Sequence, residues 1–396
     1  MSLVNTPSSN RIHIGIFGRR NSGKSSLINA ITNQNTAVIS DIAGTTTDPV
    51  YKAMEIHGIG PCMLIDTAGF DDIGELGELR MKKTRDALLK TDIAILVICD
   101  TDLSLEAEWV SHLKQRGTPI LAVINKADIL SNTAEIVGAV KDALGISSLV
   151  VSAKEQIGIQ KIISSLIRCM PEDYEKKSIT GSLVQEGDLV LLVMPQDIQA
   201  PKGRLILPQV QTIRDLLDKK CLIMSVTTDK LPQALQALSS PPKLIITDSQ
   251  AFAQVWENKP PESMLTSFSV LMAAVKGDIH EFVAGAKAIQ QLTEHSRVLI
   301  VEACTHAPLE EDIGRVKLPR MLRKKAGNQL TVDIVSGPNF PEDLSQYDLI
   351  IHCAACMFNR KYVLSRIAKA REAGVPITNY GIAIASLTGI LDKIQY

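Results

Sequence analysis

Short apolar runs, each closed by a turn and followed by a longer stretch of mixed polarity, recur along the 396 residues of this chain. The first set opens with "HIGIFG" (13–18), which reads as a buried strand turning through glycine into a helix that begins near Lys24. "LIDTAG" (64–69), "VINKAD" (123–128) and "VSAK" (151–154) each lie at the end of a further apolar strand. A polar joint, "MPEDYEKKSITGS" at 170–182, interrupts the pattern. The pattern then restarts as three short strands, "DLVLLVMP" (188–195), "CLIMSVT" (221–227) and "KLIITDS" (243–249), with helical segments such as "PQVQTIRDLLDKK" (208–220) between them. A last set contains "RVLIVEAC" (297–304), "LTVDIV" (330–335) and "DLIIHCAAC" (348–356). Strands alternating with helices predict an α/β protein, with one domain over residues 1–172 and two smaller α/β domains over 180–262 and 263–396. A three-stranded middle sheet has two edges to cover, so that domain is expected to pair with a second copy as a homodimer.

Composition narrows the class only modestly. The chain is 45% apolar and 21% charged with a net charge of −1, so charge gives no case for a nucleic acid or a membrane as partner. Aromatic residues make up 4%, and no basic–aromatic stripe appears. Gly374 to Leu391 carries no charge, but Pro376, Thr378, Asn379 and Ser386 break it, which favours a buried strand and helix over a membrane span. The start shows no signal-peptide pattern, and the seven cysteines are scattered and odd in number. Reduced thiols in a cytoplasmic protein are the expectation.

Residues Gly18 to Ser25 match G-x-x-x-x-G-K-[ST] at every fixed position, between a strand and a helix. The glycines let main-chain amides curl around a β-phosphate at the positive end of the helix. Lys24 then reaches the β- and γ-phosphates, and Ser25 gives its hydroxyl to Mg²⁺. Gly18, Asn21, Ser22, Gly23, Lys24, Ser25 and Ser26 are the candidate phosphate-loop contacts. Asp66 is placed to hold Mg²⁺ through water, and Gly69 to sense the γ-phosphate. A carboxylate at Asp128 accepts from both N1–H and the 2-amino group of guanine, which adenine does not offer. Asn125 either bonds the other edge of the base or braces the loop, with Lys126 beside it. Ser152, Ala153 and Lys154 fit a main-chain contact to the guanine oxygen. Four ordered motifs of this kind specify a P-loop GTPase with GTP or GDP and Mg²⁺ as ligands.

The C-terminal set carries different chemistry. If its strands run parallel in one sheet, "CTHAP" (304–308) and "HCAAC" (352–356) emerge at the same carboxyl edge, where ligands of open α/β sheets gather. Cys304, Cys353 and Cys356 would then converge. With one histidine they make a Cys₃His zinc site. Alone they hold three irons of a 4Fe-4S cluster, the fourth iron taking His352, His306, Glu302 or an exchangeable ligand. The spacing does not separate these two readings. "GRVKLPRMLRKK" (314–325) gathers Arg315, Lys317, Arg320, Arg323, Lys324 and Lys325, as a solvated helix face or as a surface for an anionic complex.

Residues 11 to about 170 resemble the TrmE/Era-like, potassium-activated branch of the translation-factor-related GTPases. "DIAGTTTD" (41–48) is similar to that branch's first switch, although Thr47 stands where an arginine is usual. The resemblance makes Thr46 the Mg²⁺-binding switch threonine and Asn21 the K⁺ ligand. Lys24, Thr46, Asp66 and Gly69 are thus the candidate catalytic residues. Phe70 stands where a Ras-like enzyme carries its water-orienting glutamine, so slow intrinsic turnover stimulated by K⁺ is expected.

With the cysteine pattern added, the whole chain resembles the HydF family of FeFe-hydrogenase maturation GTPases. That resemblance implies a 4Fe-4S cluster on Cys304, Cys353 and Cys356 and a homodimer. It also implies a scaffold role, in which a transient diiron precursor with CO and CN ligands arrives from two radical-SAM maturases and passes to the apo FeFe-hydrogenase. The rival reading is a ribosome- or tRNA-associated GTPase with a structural zinc.

Overall fold

A computed structural model describes residues 6–32, 40–42, 49–69, 71, 75–170, 178–195, 205–303, 312–337 and 339–396. The chain divides into two compact units, Met1–Glu175 and Lys176–Tyr396.

The first unit holds strands β1 (Ile12–Gly18), β2 (Ser40–Ile42), β3 (Val50–Ile56), β4 (Gly60–Asp66), β5 (Ile93–Ile98), β6 (Ile120–Ile124) and β7 (Ser148–Val150). Its helices are α1 (Lys24–Thr32), α2 (Glu75–Lys90), α3 (Ser104–Gln115), α4 (Thr133–Leu144) and α5 (Ile159–Arg168). The sheet runs β2-β3-β4-β1-β5-β6-β7; only the β2/β3 and β3/β4 pairs are antiparallel. The alternation of β5 builds two cores at once. Ile93, Ile95 and Val97 join one face, and Ala94, Leu96 and Ile98 the other. All six are essentially inaccessible, and burying each larger side chain contributes about 1.5–3 kcal/mol. Burial on both faces is why these strands read as unbroken apolar runs.

The second unit contains two four-stranded parallel sheets. One is formed by β8 (Leu189–Val193), β9 (Leu222–Val226), β10 (Leu244–Thr247) and β11 (Met264–Ser267), in the order β11-β10-β8-β9, with α6 (Leu207–Asp218), α7 (Leu231–Ala237), α8 (Phe252–Asn258) and α9 (Phe268–Lys276). The fourth strand corrects the expected three-stranded sheet, and it lies past residue 262, so this sheet overruns the expected domain limit. The other sheet follows α10 (Ile279–Ala286). It is formed by β12 (Arg297–Glu302), β13 (Thr331–Ser336), β14 (Leu349–His352) and β15 (Ile377–Asn379), in the order β13-β12-β14-β15, with α11 (Leu318–Ala326), α12 (Arg360–Glu372) and α13 (Tyr380–Leu387). The uncharged run at 374–391 is the strand and helix expected, β15 and α13. No helix among the described residues is long and apolar enough to cross a membrane.

The two sheets share one core. Leu191 and Val193 of β8, Ile245 and Leu265 join Val298, Ile300, Ile350 and Ile377 in a single apolar cluster, while Val190, Leu192 and Ile246 line the opposite face of the first of the two sheets. The C-terminal tail returns to that sheet, where the Gln395 N–H donates to Leu265 O at 2.8 Å. Among the described residues β9, at the other end of the sheet, has a strand neighbour on one side only, and Leu222 is 60% exposed. The polar joint ends inside this unit, where Ser178, Ile179 and Thr180 all donate to the Asp215 carboxylate.

Candidate functional site

Chemistry-bearing residues gather at two sheet edges, each formed by the carboxyl ends of parallel strands. In the first unit the phosphate loop follows β1 and opens α1. Lys24 is buried, and its Nζ donates to Gly18 O at 3.1 Å and Arg19 O at 2.8 Å, folded back over the loop. Asn21 has φ +55° and is exposed, as are Ser25 and Ser26, while Ser22 is buried. Gly23 is required twice over: its φ is +90°, and a Cβ there would stand 2.3 Å from Asn125 Nδ2.

Asn125 braces the loop. Its Nδ2 donates to Ser22 O at 3.1 Å, and its Oδ1 accepts from Ala153 N–H at 3.0 Å. Lys126 beside it has φ +64°. Asp128 is exposed, and Ser152 Oγ donates to it at 2.6 Å, the main reason its carboxyl lies below the usual range. Ala153 is buried and Lys154 exposed. This arrangement keeps an ionised acceptor at the mouth of the base site.

A divalent cation fits the donors present. Ser25 Oγ donates to Asp66 Oδ2 at 2.6 Å, whereas Asp66 Oδ1 is buried with no hydrogen-bond partner. Burial pushes the Asp66 carboxyl up, opposed by Ser25, Lys24 and Lys52. A bound cation would supply what that orphaned oxygen lacks. Gly69 is buried against Arg20, and Asp71 Oδ1 accepts the Arg20 main-chain N–H at 2.6 Å. Thr46 and Phe70 lie outside the described residues. Sequence reasoning missed Arg19, whose Nε donates to the buried Glu106 of α3 at 3.0 Å and so ties the phosphate loop to that helix.

At the other edge, Cys353 follows β14. Cys353 Sγ accepts from Ala303 N–H at 3.0 Å and from Ala355 N–H at 3.4 Å. Ala303 ends the run that continues β12, so the ends of β12 and β14 meet at this sulfur. Ala355 has φ +53°, a left-handed conformation that costs an alanine about 1–2 kcal/mol and turns the chain between Cys353 and Cys356. Both cysteines are half-buried. N–H donors aimed at a cysteine sulfur suit a metal-bound thiolate. Cys304 and His306 lie outside the described residues, and among the described residues no three of His, Cys, Asp and Glu form a metal-binding group.

Behind Cys353 stands His352, 1% exposed. Arg366 Nη1 lies 3.0 Å from His352 Nε2, and since arginine only donates, Nε2 is the acceptor. The proton therefore sits on Nδ1 and is given to Cys353 O at 2.8 Å. Burial, then the Arg366 charge, push this histidine down to about 3. Both ring nitrogens of His352, expected as a possible fourth ligand, are thus engaged within the protein in this arrangement. Arg366 is itself buried within 4.7–5.1 Å of the Phe340, Phe358 and Tyr362 ring centres, and Nη2 donates to Gly337 O at 2.6 Å.

Glu302, at the end of β12, accepts through Oε2 from Arg315 Nη2 at 2.9 Å and Ser336 Oγ at 2.9 Å. Arg315 thus leaves the expected basic face, whereas Arg320, Arg323, Lys324 and Lys325 are exposed on α11. Tyr380, at the start of α13, places its hydroxyl beside this carboxylate. Its Oη is buried without a hydrogen-bond partner, and burial followed by the Cys353, Glu302 and Asp312 charges hold it protonated.

Three family models match the chain in succession. The 50S ribosome-binding GTPase model covers residues 13–126, the hydrogen maturase F dimerization domain 179–277 and the hydrogen maturase F tetramerization domain 280–395. Among curated proteins it is 30% identical over 194 residues to the GTPase Der of Mycoplasmopsis agalactiae, covering 45% of this chain and 44% of that one. It is 34% identical over 167 residues to the tRNA modification GTPase MnmE of Flavobacterium johnsoniae, covering 40% of this chain and 35% of that one. The chain thus spans less than half the length of these relatives. Among solved structures, Era of Aquifex aeolicus is 16% identical with a TM-score of 0.34, covering 57% of this chain and 98% of that one. The G domain of the T. maritima FeoB iron transporter is 19% identical with a TM-score of 0.32, covering 40% and 98%.

Proposed function

This chain belongs to the hydrogen maturase F family, and from that premise we propose that it is a GTP-hydrolysing scaffold for the diiron unit of an FeFe-hydrogenase. In this reading Cys304, Cys353 and Cys356 hold a 4Fe-4S cluster with one replaceable corner. Two radical-SAM maturases load the diiron precursor with its CO and CN ligands, and apo FeFe-hydrogenase receives it. What supports the reading is the Ala303 N–H to Cys353 Sγ bond, which brings the residue before Cys304 against a second candidate sulfur. With His352 engaged elsewhere, the fourth position is left to Glu302, His306 or an exogenous ligand. When bound, the cluster supplies an iron with an exchangeable coordination site.

Anaerobic reconstitution with iron and sulfide tests this directly. The expected product is brown, with an EPR signal after reduction that added cyanide perturbs. A colourless protein with stoichiometric zinc would sink the scaffold reading and favour the ribosome- or tRNA-associated alternative.

GTP, Mg²⁺ and K⁺ act as a conformational switch in this proposal, ordering the segment around Thr46 and the loop after Gly69. Turnover is slow, because Phe70 supplies no hydrogen bond to the attacking water, and K⁺ on Asn21 provides positive charge. The dimer forms through the open β9 edge, where exposed Leu222 would be covered by a second copy. Leu222→Lys is expected to yield monomers in light scattering; an unchanged dimer mass would move the interface elsewhere.

A further inference from the structure

Tyr380 occupies an awkward place for a tyrosine. The ring packs into the apolar core of the second unit, yet its hydroxyl is out of solvent and has no hydrogen-bond partner. Leaving such a group unsatisfied costs about 1–3 kcal/mol, so buried hydroxyls are ordinarily paired. The surroundings make room for it all the same. A Cβ on Gly314 would stand 2.1 Å from Tyr380 Oη and 2.8 Å from Glu302 Oε1. Were the ring there only to pack, phenylalanine would serve.

One oxygen of each neighbouring acid is committed. Glu302 Oε2 is taken by Arg315 and Ser336, and Asp312 Oδ1 accepts the Gly314 and Arg315 main-chain N–H groups. The register of the sheet sets Asn379 beside His352, and Asn379 Nδ2 donates to Cys353 O at 3.3 Å. Tyr380 therefore rises from the strand end next to Cys353, on the same carboxyl edge. We propose that the Tyr380 hydroxyl is a hydrogen-bond donor reserved for an anion carried at the Cys353 edge. The inference rests on the cluster reading above and adds a residue to it. The acceptor is a soft anion: a sulfur of the cluster, or a small ligand such as cyanide on the replaceable iron corner.

The test uses the full-length chain reconstituted anaerobically, as wild type, as Tyr380→Phe, and with 3-fluorotyrosine, a stronger donor, at position 380. EPR of the reduced protein, titrated with cyanide and separately with potential, gives the two readouts. Tyr380→Phe is expected to bind the same iron and sulfide but cyanide about tenfold more weakly, the worth of one charge-assisted hydrogen bond. If a cluster sulfur is the acceptor, the midpoint potential instead moves to more negative values while cyanide affinity holds. Fluorotyrosine is expected to shift the same readout the other way. A loaded wild type beside a Tyr380→Phe variant unchanged in both readouts overturns the donor alone. Wild-type protein that takes up no cluster overturns the scaffold reading and this donor with it.

Discussion

At the edge of the first sheet, a lysine and the main-chain amides of a tight loop surround a place shaped for phosphate, with Asp66 and Ser25 ready for a cation. At the edge of the third sheet, one cysteine sulfur, Cys353 Sγ, receives two N–H donors from in front, while a buried arginine and a neutral histidine stand behind. In the proposed function both edges receive negative charge, but they differ in where the compensating charge sits. The phosphate site carries its cation on Lys24, whose Nζ rests on Gly18 O and Arg19 O. The cysteine edge keeps its cation fixed, because Arg366 is enclosed by three aromatic rings and donates to His352 and Gly337. A site that must grip and release a nucleotide benefits from a mobile charge. A site that must hold sulfur ligands in one geometry benefits from a fixed one.

Removing each site's charge or ligand is the severest challenge to this contrast. Lys24→Ala is expected to lower GTP hydrolysis by about 100-fold or more, as loss of a transition-state charge does. Iron uptake should be unchanged, and parallel assays of phosphate release and iron content decide; iron lost along with hydrolysis would end the idea of separable edges. In the converse experiment, Cys353→Ser should abolish the cluster absorption while hydrolysis stays within about twofold of wild type.

Next in size is the fixed cation. Arg366→Met leaves His352 Nε2 and Gly337 O without their donor, and should destabilise the second unit by about 2–4 kcal/mol, read as a lower urea midpoint. An unchanged midpoint would mean that the aromatic enclosure, and not the charge, holds this region together. Asn125→Ala removes the brace between phosphate loop and base site, and should weaken GTP binding about tenfold. Smallest is the exposed helix face. Changing both Arg320 and Arg323 to Gln is expected to slow loading of an anionic complex about two- to fivefold, with steeper salt dependence in the wild type. Equal rates would leave that face as solvated surface.

The two edges were unequally legible in the sequence. The phosphate loop is a local motif, so its residues can be read in a row; the role of Asn125 is only narrowed to two, because the brace spans distant segments. The meeting of β12 and β14 follows from parallel pairing, which the apolar runs suggest. Arg366 and Tyr380 depend on side-chain reach across elements. Arg366 did leave a trace: it shares a helical stripe with the buried Tyr362, Val363, Ile367 and Ala370, an odd place for a charge. The fourth strand of the middle sheet escaped notice because "MLTS" (264–267) runs straight into the apolar helix "FSVLMAAVK" (268–276), and no change of period separates them.

Because Leu191, Val193 and Leu265 share one apolar interior with Val298, Ile350 and Ile377, the two sheets of the second unit are expected to unfold together, without independent melting points. Heating should dismantle both in one calorimetric peak. If the cysteine edge carries the cluster proposed above, any stress that unfolds one sheet would release the metal in the same event.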